Sequence, residues 1–269
     1  MTLLSVVIIT LNEERNIGRC LASVRGIADD VVVVDSGSAD RTGEICREYG
    51  ARFVTHPWQG FAETKNFANS LALHPWILSL DADEALSDEL RDSVQKIKKD
   101  GFSGVVWSMN RLTNYCGSWI KHCGWYPDKK IRLFHRDTAR WAGLLIHETL
   151  EINTGIKVNH LKGDLLHFSY YTIGEHVAQA NRYTDLAAEE AISKGKSAGC
   201  AGIIFKPLLR FIRDYFFRLG FMDGYYGYVI CRISAHATFL KYSKIRQLGR
   251  IRSSVGLKQD KRDSNPGNR

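Results

Sequence analysis

The sequence predicts an α/β fold with a Rossmann-like, doubly wound and mostly parallel sheet, followed by a helical C-terminal region. Short apolar runs recur through the first hundred residues, and helix-like segments separate them. Strands that alternate with helices form βαβ units, in which the strands run parallel and are covered on both faces. The helical C-terminal region is predicted from another observation, a stripe of charged residues at helical spacing in 203–221.

Four strands are predicted in the first hundred residues, at 3–10, Asp30–Asp35, Arg52–Thr55 and 76–80. Asn12 is expected to cap the first helix. Later helices are expected to end near residue 49, to span 61–73 and to run from Ser87 to about residue 99. The strand-like runs beyond residue 100 lie at 104–109, 130–134 and 165–168, and a helix is predicted over 172–195.

Composition limits the class of protein. The chain has 269 residues, of which 44% are hydrophobic and 25% are charged, so it is neither a disordered chain nor a fibrous repeat. The six cysteines form no Cys-x-x-Cys pair, which argues against a zinc ribbon or a thioredoxin-type site. The short N-terminal apolar run has no basic residue before it and predicts a buried strand instead of a signal peptide. No apolar stretch approaches the roughly 20 residues that span a bilayer.

The positive charge lies in the last quarter of the chain. Residues 196–269 contain 15 Lys and Arg against 4 Asp and Glu, a net charge of +11, whereas residues 1–195 have a net charge of −3. A basic region of this kind suits nucleic acid or an anionic membrane surface. Because no nucleic-acid-binding motif accompanies it, the sequence favours the membrane surface and no nucleic acid partner.

Segment 203–221 carries one charged stripe on an otherwise aliphatic and aromatic helix. The stripe comprises Lys206, Arg210, Arg213, Asp214 and Arg218. This pattern is typical of a helix in a membrane interface, and a helix that packs on the catalytic domain has the same pattern. We therefore expect a basic amphipathic, membrane-associating region over 196–250 and a flexible tail over 251–269.

Polar side chains follow three of the predicted parallel strands where each strand ends, and ligands of open parallel sheets bind at that edge. Two carboxylates separated by one residue, as after the fourth strand, suit Mg²⁺ or Mn²⁺, although a solvated acidic turn has the same spacing. The chain has no Gly-x-Gly-x-x-Gly after the first strand and no Gly-Lys-Ser/Thr, so a nucleotide would be held by side chains. The candidates at this stage are Asn12, Asp35, Lys65 and Asn66 for a nucleotide, and Asp81 and Asp83 for a metal ion.

Four segments resemble successive motifs of family 2 glycosyltransferases: 5–16 (SVVIITLNEERN), 31–42 (VVVVDSGSADRT), 59–69 (QGFAETKNFAN) and 77–84 (ILSLDADE). Segments 126–136 (YPDKKIRLFHR) and 141–150 (WAGLLIHETL) are similar to lipopolysaccharide inner-core β-1,4-glucosyltransferases. The resemblance covers residues 3–250. It implies the GT-A fold and an inverting, metal-dependent transfer from a nucleotide sugar, with UDP-glucose as the first expectation. It also implies a lipid-linked saccharide acceptor at the cytoplasmic face of the inner membrane.

The resemblance also implies roles for individual residues. It assigns the uracil and ribose to Thr10, Asn12, Glu13 and Asp35, and it assigns Lys65 and Asn66 to the nucleotide or its phosphates. It places Asp81 against the ribose and Asp83 on the metal ion, with Asp81 as a further metal ligand. Apart from the resemblance, Arg132, Trp125 and Trp141 are candidates for contacts with the acceptor or with phosphate. A surface salt bridge explains Arg132 equally well, and core packing explains a lone tryptophan equally well.

An inverting transfer needs a base that takes the proton of the acceptor hydroxyl. The Glu-Asp pair that family 2 enzymes often place after the second half of the sheet is missing, and His147-Glu148 stands in its place. We expect Glu148 to be the base, with His147 orienting it, binding metal or touching substrate, and Asp128 as the alternative base.

Arg136 is a second candidate for a phosphate contact, whereas His160, His167 and His176 are interpreted as structural.

These expectations divide the chain into a catalytic domain over 1–195, with a nucleotide-sugar half over 1–100 and an acceptor half over 101–195, followed by the basic region. Two rival functions remain open. One is transfer of sugar to a polyprenyl phosphate, and the other is a non-enzymatic, membrane-peripheral protein that binds nucleotide sugars.

Overall fold

The computed structural model describes residues 2–102, 104–143 and 148–263, with side chains described as far as residue 252. The chain forms two compact units. The first unit comprises Met1–Asn114 and Tyr126–Ser169, and the second comprises Tyr115–Trp125 and Tyr170–Arg269. The helix that the sequence analysis placed at the end of the catalytic domain therefore belongs to the second unit.

Eleven strands occur in the described residues. They are β1 (Leu4–Thr10), β2 (Asp30–Asp35), β3 (Arg52–Thr55), β4 (Trp76–Asp81), β5 (Glu84–Leu86), β6 (Val106–Tyr115), β7 (Ser118–Ile120), β8 (Asp128–His135), β9 (Ala139–Ala142), β10 (Thr149–Ile152) and β11 (Val158–Tyr170). The first unit also contains four helices, α1 (Ile17–Ser23), α2 (Thr42–Glu48), α3 (Phe61–Ser70) and α4 (Asp88–Asp100).

The main sheet has the strand order β3-β2-β1-β4-β8-β6-β11-β5. Strands β3, β2, β1 and β4 are mutually parallel, whereas β8 runs antiparallel to β4 and to β6, and β5 runs antiparallel to β11. The four predicted βαβ strands are thus the parallel half of a mixed sheet. The predicted α/β fold class is confirmed.

Strand β1 lies inside the sheet and is buried along its whole length. Leu4, Val6 and Ile8 pack into the hydrophobic core on one face, while Val7 and Ile9 pack into the core on the other face. Successive side chains of a strand point to opposite faces, so a strand between two layers of helices must be apolar at every position. This burial explains why the sequence of β1 shows no alternation of apolar and polar residues.

The first helix begins later than the sequence predicted. Helix α1 begins at Ile17 and its N-cap residue is Asn16, so Asn12 caps no helix. Asn12 instead adopts a left-handed backbone conformation with φ of 54°, which asparagine tolerates better than most residues. By contrast, the Oγ of Ser87 accepts a hydrogen bond of 3.2 Å from the Leu90 amide and caps α4 as predicted.

The second unit contains the helices α5 (Ile173–Ser193), α6 (Cys200–Ile212) and α7 (Gly224–Asp263). The predicted helix over 203–221 ends earlier, because a π-helical turn over Arg213–Phe217 and a 3₁₀ turn over Gly220–Asp223 follow α6. Helix α7 continues through 251–263, which the sequence analysis assigned to a flexible tail. Among the described helices, none combines the length and the apolar character needed to cross a membrane.

Candidate active site

The parallel strands bring the predicted polar residues to one edge of the sheet. Thr10 is paired with Asp35 across β1 and β2, and Ile9 is paired with Asp81 across β1 and β4. The last residues of three strands therefore lie side by side, as the sequence analysis expected from the rule for open parallel sheets.

Asp35 organises the loop that follows β2. It is buried, and its Oδ2 accepts hydrogen bonds from the amides of Gly37 (2.9 Å) and Ser38 (2.8 Å). The Ser38 hydroxyl donates to Asp35 Oδ1 and accepts a hydrogen bond of 2.7 Å from the Asn12 amide. Asn12 Oδ1 accepts a hydrogen bond of 2.9 Å from the Ala39 amide. The loops after β1 and β2 are thus joined into one polar rim.

Thr10 and Glu13 lie along the same rim. The Oγ1 of Thr10 is buried and has no hydrogen-bond partner within the described part of the chain. Burial raises the pKa of Glu13 to about 7, although the hydrogen bond from Asn16 to its carboxylate opposes this shift, and the nearby carboxylates of Asp83 and Asp40 add to it. This edge therefore has an unused hydroxyl and a carboxyl group that is easily protonated, both suited to polar groups of a ligand.

A buried ion-pair network surrounds Asp81. Lys65, only 1% exposed, places its Nζ 2.9 Å from Asp81 Oδ1 and 3.2 Å from Glu148 Oε1. Arg132 Nη2 lies 2.7 Å from Asp81 Oδ2 and 2.6 Å from Glu84 Oε1. Burial alone would raise the pKa of Asp81, but the cations of Arg132 and Lys65 outweigh it and hold this pKa well below its usual range. Both oxygens of Asp81 thus contact cations of the protein.

Asp83 has a different kind of partner. Its Oδ2 lies 3.1 Å from Nε2 of His167, a residue on β11. Strand β11 pairs with β5 so that His167 lies opposite Glu84, which places the imidazole beside the loop that follows β4. Asp83 and His167 together offer one carboxylate and one imidazole, both of which are ligands of divalent cations.

The two candidate bases lie in the first unit. Glu148 contacts Lys65 and its side chain is 23% exposed. Asp128 is at the start of β8, where it contacts Arg111 at 2.7 Å and Lys130 at 3.1 Å. Glu148 and Asp81 thus contact the same cation, Lys65. Asp128 contacts two other cations, Arg111 and Lys130. His147 lies outside the described residues.

The side chain of Asn66 forms two hydrogen bonds with the backbone of Trp141. Asn66 Nδ2 donates to the Trp141 carbonyl at 2.8 Å, and the Trp141 amide donates to Asn66 Oδ1 at 3.0 Å. The Trp141 ring is mostly buried and lies below Lys65, whose Nζ is 4.5 Å from the ring centroid. Asn66 thus fixes β9, and Trp141 forms an apolar wall beside the ion-pair network.

Two other candidates lie elsewhere. Trp125 belongs to the second unit, where its ring packs on Tyr115 and His176. Arg136 donates two hydrogen bonds of 2.7 Å to the carbonyls of Ala72 and His74, before the start of β4 and therefore away from its carboxyl end.

Sequence reasoning missed three residues of this site. His167 was interpreted as structural because the histidines at 160, 167 and 176 form no His-x-x-Glu-His-type motif, and only the pairing of β11 with β5 brings it to Asp83. Glu84 was treated as part of an acidic loop, whereas it is buried in β5 and forms an ion pair with Arg132. Ser38 was placed with Asp35 after the second strand and was given no role of its own.

No group of three or more His, Cys, Asp and Glu side chains in the described ranges is arranged to hold a metal ion. Asp83 and His167 fit a site of another kind, in which the protein supplies two ligands and a substrate diphosphate supplies others. The Asp83 carboxylate of this pair suits Mg²⁺ or Mn²⁺, although the described residues by themselves do not enclose the ion.

Comparison with known proteins gives consistent results. The family model described as Glycosyl transferase family 2 matches residues 5–161. The chain is 32% identical to an uncharacterized glycosyltransferase of Rickettsia typhi, covering 92% of this chain and 88% of that protein. It is also 32% identical to LpsC, a lipopolysaccharide core biosynthesis glycosyltransferase of Rhizobium meliloti, covering 91% of this chain and 92% of LpsC.

Among solved structures, glucosyl-3-phosphoglycerate synthase from Mycobacterium tuberculosis in complex with Mn²⁺, UDP and glucosyl-3-phosphoglycerate is 24% identical. The match covers 42% of this chain and 44% of the synthase, with a TM-score of 0.35. The match covers less than half of either chain and supports no inference about ligands.

Proposed function

The chain belongs to glycosyl transferase family 2, and we propose that it transfers a sugar, most simply glucose from UDP-glucose, to a lipid-linked saccharide such as a lipopolysaccharide core. The observation that carries this proposal is the Asp83–His167 pair beside Asp81, at the edge where Thr10 and Asp35 also end their strands. The acceptor class is supported by the name of the relative LpsC, which acts in lipopolysaccharide core biosynthesis.

The nucleoside would occupy the rim formed by the loops after β1 and β2. Asp35 is held by three hydrogen bonds from its own loop, so its position is fixed before a ligand arrives. Thr10 Oγ1 and the carboxyl group of Glu13 supply further polar contacts for uracil or ribose. These assignments keep the roles that the family resemblance implies.

The diphosphate would lie near Asp83, and Asp83 and His167 would hold the Mg²⁺ or Mn²⁺ ion. When bound, this ion supplies Lewis-acid stabilisation of the charge on the departing diphosphate. Lys65 and Arg132 hold Asp81 in place on both of its oxygens. We therefore assign Asp81 mainly to positioning and to the ribose, and its direct contact with the metal ion stays a prediction.

Glu148 is our candidate for the base of an inverting transfer. It would accept the proton of the acceptor hydroxyl while that oxygen forms a bond to the anomeric carbon and the bond from this carbon to the diphosphate breaks. Lys65 contacts Glu148 Oε1 at 3.2 Å and thereby orients the carboxylate. Trp141 is buried beside Lys65, so its contact with the acceptor stays a prediction. Arg132 is satisfied by carboxylates, which favours a positioning role.

The test is a thermal-shift screen of UDP-, GDP- and dTDP-sugars with Mn²⁺ and with a chelator, followed by a transfer assay. A ligand that binds only the native state raises the melting temperature as its concentration exceeds its dissociation constant. We expect a UDP-sugar to stabilise the protein more strongly with Mn²⁺. A purified core saccharide and a polyprenyl phosphate would be offered separately as acceptors.

The outcomes separate the proposal from its rivals. Transfer to the core saccharide with inversion at the anomeric carbon supports it. Transfer to the polyprenyl phosphate alone would replace the acceptor class, and donor binding without transfer to either acceptor favours a non-enzymatic binding protein. Asp92→Asn, which changes an exposed carboxylate on α4, is the matched control for changes at Asp83.

The lipid-linked acceptor places the proposed reaction at a membrane. We propose that the protein works as a peripheral protein on the cytoplasmic face of the inner membrane, where nucleotide sugars are available.

A further inference from the structure

Helix α6 leaves its apolar side chains unburied. None of its 13 residues is buried, although most of them are aliphatic or aromatic. Its exposed face, which we call the α6 face, comprises Ile204, Phe205, Leu208 and Leu209. The turns that follow add an apolar corner, which comprises Phe216, Phe217, Leu219, Phe221 and Met222. Phe217 is 80% exposed, more than any other large hydrophobic residue among those described.

Exposure of this extent needs an explanation. Soluble proteins scatter single apolar residues over their surfaces, but a contiguous apolar area of this kind marks an interaction site. The α6 face and the apolar corner follow one another between residues 204 and 222, so nine exposed apolar side chains lie in one short segment of the chain.

Three arginines converge on one buried carboxylate within this surface. Arg213 Nε lies 2.9 Å from Asp214 Oδ1, Arg218 Nη1 lies 3.4 Å from the same oxygen, and Arg210 Nε contacts Asp214 Oδ2. Asp214 is buried, whereas the three arginine side chains remain between 39% and 46% exposed. One carboxylate neutralises one guanidinium, so the arginine cluster keeps a net charge of about +2 beside the apolar corner.

The local backbone positions this arginine cluster. In the π-helical turn the amide of Arg218 donates to the Arg213 carbonyl at 2.9 Å, which keeps both residues next to Asp214. Arg218 also packs against Gly124, where any side chain would collide with the guanidinium. Lys206, which the sequence placed on the same stripe, is also exposed, and its Nζ lies 4.0 Å from the centroid of the Tyr242 ring. Both the arginine cluster and Lys206 therefore present positive charge at this surface.

The arrangement of charged and apolar side chains indicates which partner covers this surface. A guanidinium offers planar donors that match phosphate oxygens, and the neighbouring phenylalanines need an apolar medium. An anionic bilayer interface supplies both within a few ångströms. A second copy of this chain would bring a similarly basic surface, since residues 196–269 carry a net charge of +11, and like charges oppose that contact.

We propose that the second unit docks on an anionic lipid bilayer through this surface. The α6 face and the apolar corner insert into the interface, and Arg210, Arg213 and Arg218 bind lipid phosphates. The inference rests on the membrane location in the proposed function and deepens it, because it assigns a lipid-phosphate site to residues outside the first unit. Docking is measured without nucleotide sugar or acceptor, so its failure and the failure of the transfer proposal are distinguishable.

The experiment is co-sedimentation of the full chain with phosphatidylcholine vesicles that contain or lack phosphatidylglycerol. We expect binding to the anionic vesicles at low salt, and weaker but persistent binding at high salt, because salt screens the charges and leaves the apolar contribution. Arg210→Gln, Arg213→Gln and Arg218→Gln together should weaken binding about 100-fold, since each cation near such a surface contributes about fivefold.

Two further variants sharpen this experiment. Phe216→Ser with Phe217→Ser should weaken binding about tenfold or more even at low salt, because apolar burial is lost. The control is Arg25→Gln, Lys96→Gln and Lys99→Gln, which removes the same charge from exposed positions of the first unit and should leave binding within about twofold. Unchanged melting temperatures would show that the variants are folded.

Three results would overturn the proposal. The first is a full-length protein that stays in the supernatant with anionic vesicles at low salt. The second is an arginine variant that binds as tightly as the control variant. The third is a vesicle-free dimer that dissociates when Phe216 and Phe217 are changed, because this would show that a second copy covers the surface.

Discussion

The two units of the molecule group their charged side chains in opposite ways. In the first unit, Lys65 and Arg132 each contact two carboxylates, and Asp81 lies between them. In the second unit, three arginines share the single carboxylate of Asp214. The first arrangement is mostly buried, while the second is half exposed and surrounded by apolar side chains.

This difference shows which charges are available to a ligand. Asp81 and Glu84 are neutralised within the fold by Lys65 and Arg132, whereas Asp83 contacts an imidazole and keeps the capacity to bind a cation. In the second unit the surplus is positive and lies at the surface, so it suits an anion. The sign of the charge on each expected ligand follows from the local excess of acidic or basic side chains, and not from the net charge of either unit.

The strongest test of the acidic side of this comparison is Asp83→Asn. It should lower the transfer rate about 10³-fold, because the departing diphosphate loses several kcal/mol of charge stabilisation. Initial rates across a Mn²⁺ titration would measure the effect, with Asp92→Asn as the control. Full activity of the Asp83 variant in chelator-treated buffer would rule out the metal role.

The second prediction concerns the proton acceptor. Glu148→Gln keeps the shape of the side chain and should lower kcat about 10²-fold while donor binding persists, because the glutamine amide cannot accept the proton of the acceptor hydroxyl. Exposed Glu151→Gln on β10 is the matched control. If Asp128→Asn is inactive while the Glu148 variant turns over normally, the base is Asp128.

The third prediction concerns the ion pairs that Lys65 forms in the first unit. Lys65→Met should lower the free energy of unfolding by about 3 kcal/mol, because Asp81 and Glu148 would lose a buried cation that they share. Chemical denaturation would measure this loss. Lys96→Met, at an exposed site on α4, should change the same free energy by less than about 0.5 kcal/mol. Equal effects of the two substitutions would contradict the buried network.

The fourth prediction concerns Glu13 in metal-free protein. Its pKa is about 7 in the folded state, against an ordinary value near 4.5. The folded state therefore holds the Glu13 proton more tightly than the unfolded state, and this stabilisation is complete below pH 4.5 and is lost as pH rises through 7. In Glu13→Gln the free energy of unfolding should fall less over that interval, whereas exposed Glu63→Gln should keep the slope of the native protein. Parallel slopes for all three proteins would refute the shift.

Much of the parallel half of the sheet was predictable because its information is local. Strands β2 and β3 have the predicted boundaries, and β1 begins one residue later than predicted. A continuous apolar run between helices has few other stable structures, and the carboxyl ends of parallel strands must share an edge. The approximate position of Thr10, Asp35 and Asp81 therefore follows from the sequence alone.

The sequence determined the family, the α/β fold and the set of acidic and basic residues available to the site, because apolar periodicity and short motifs are carried by neighbouring residues. Only the tertiary structure decided how those charges pair. Asp83 meets His167 across 84 positions of sequence, and Lys65 meets Glu148 across 83. Contacts at such separations depend on the register of antiparallel strands and on the packing of loops, which no local pattern encodes. The same holds for α6, whose amphipathic sequence suits burial and membrane contact equally, and whose apolar face is exposed once the fold is complete.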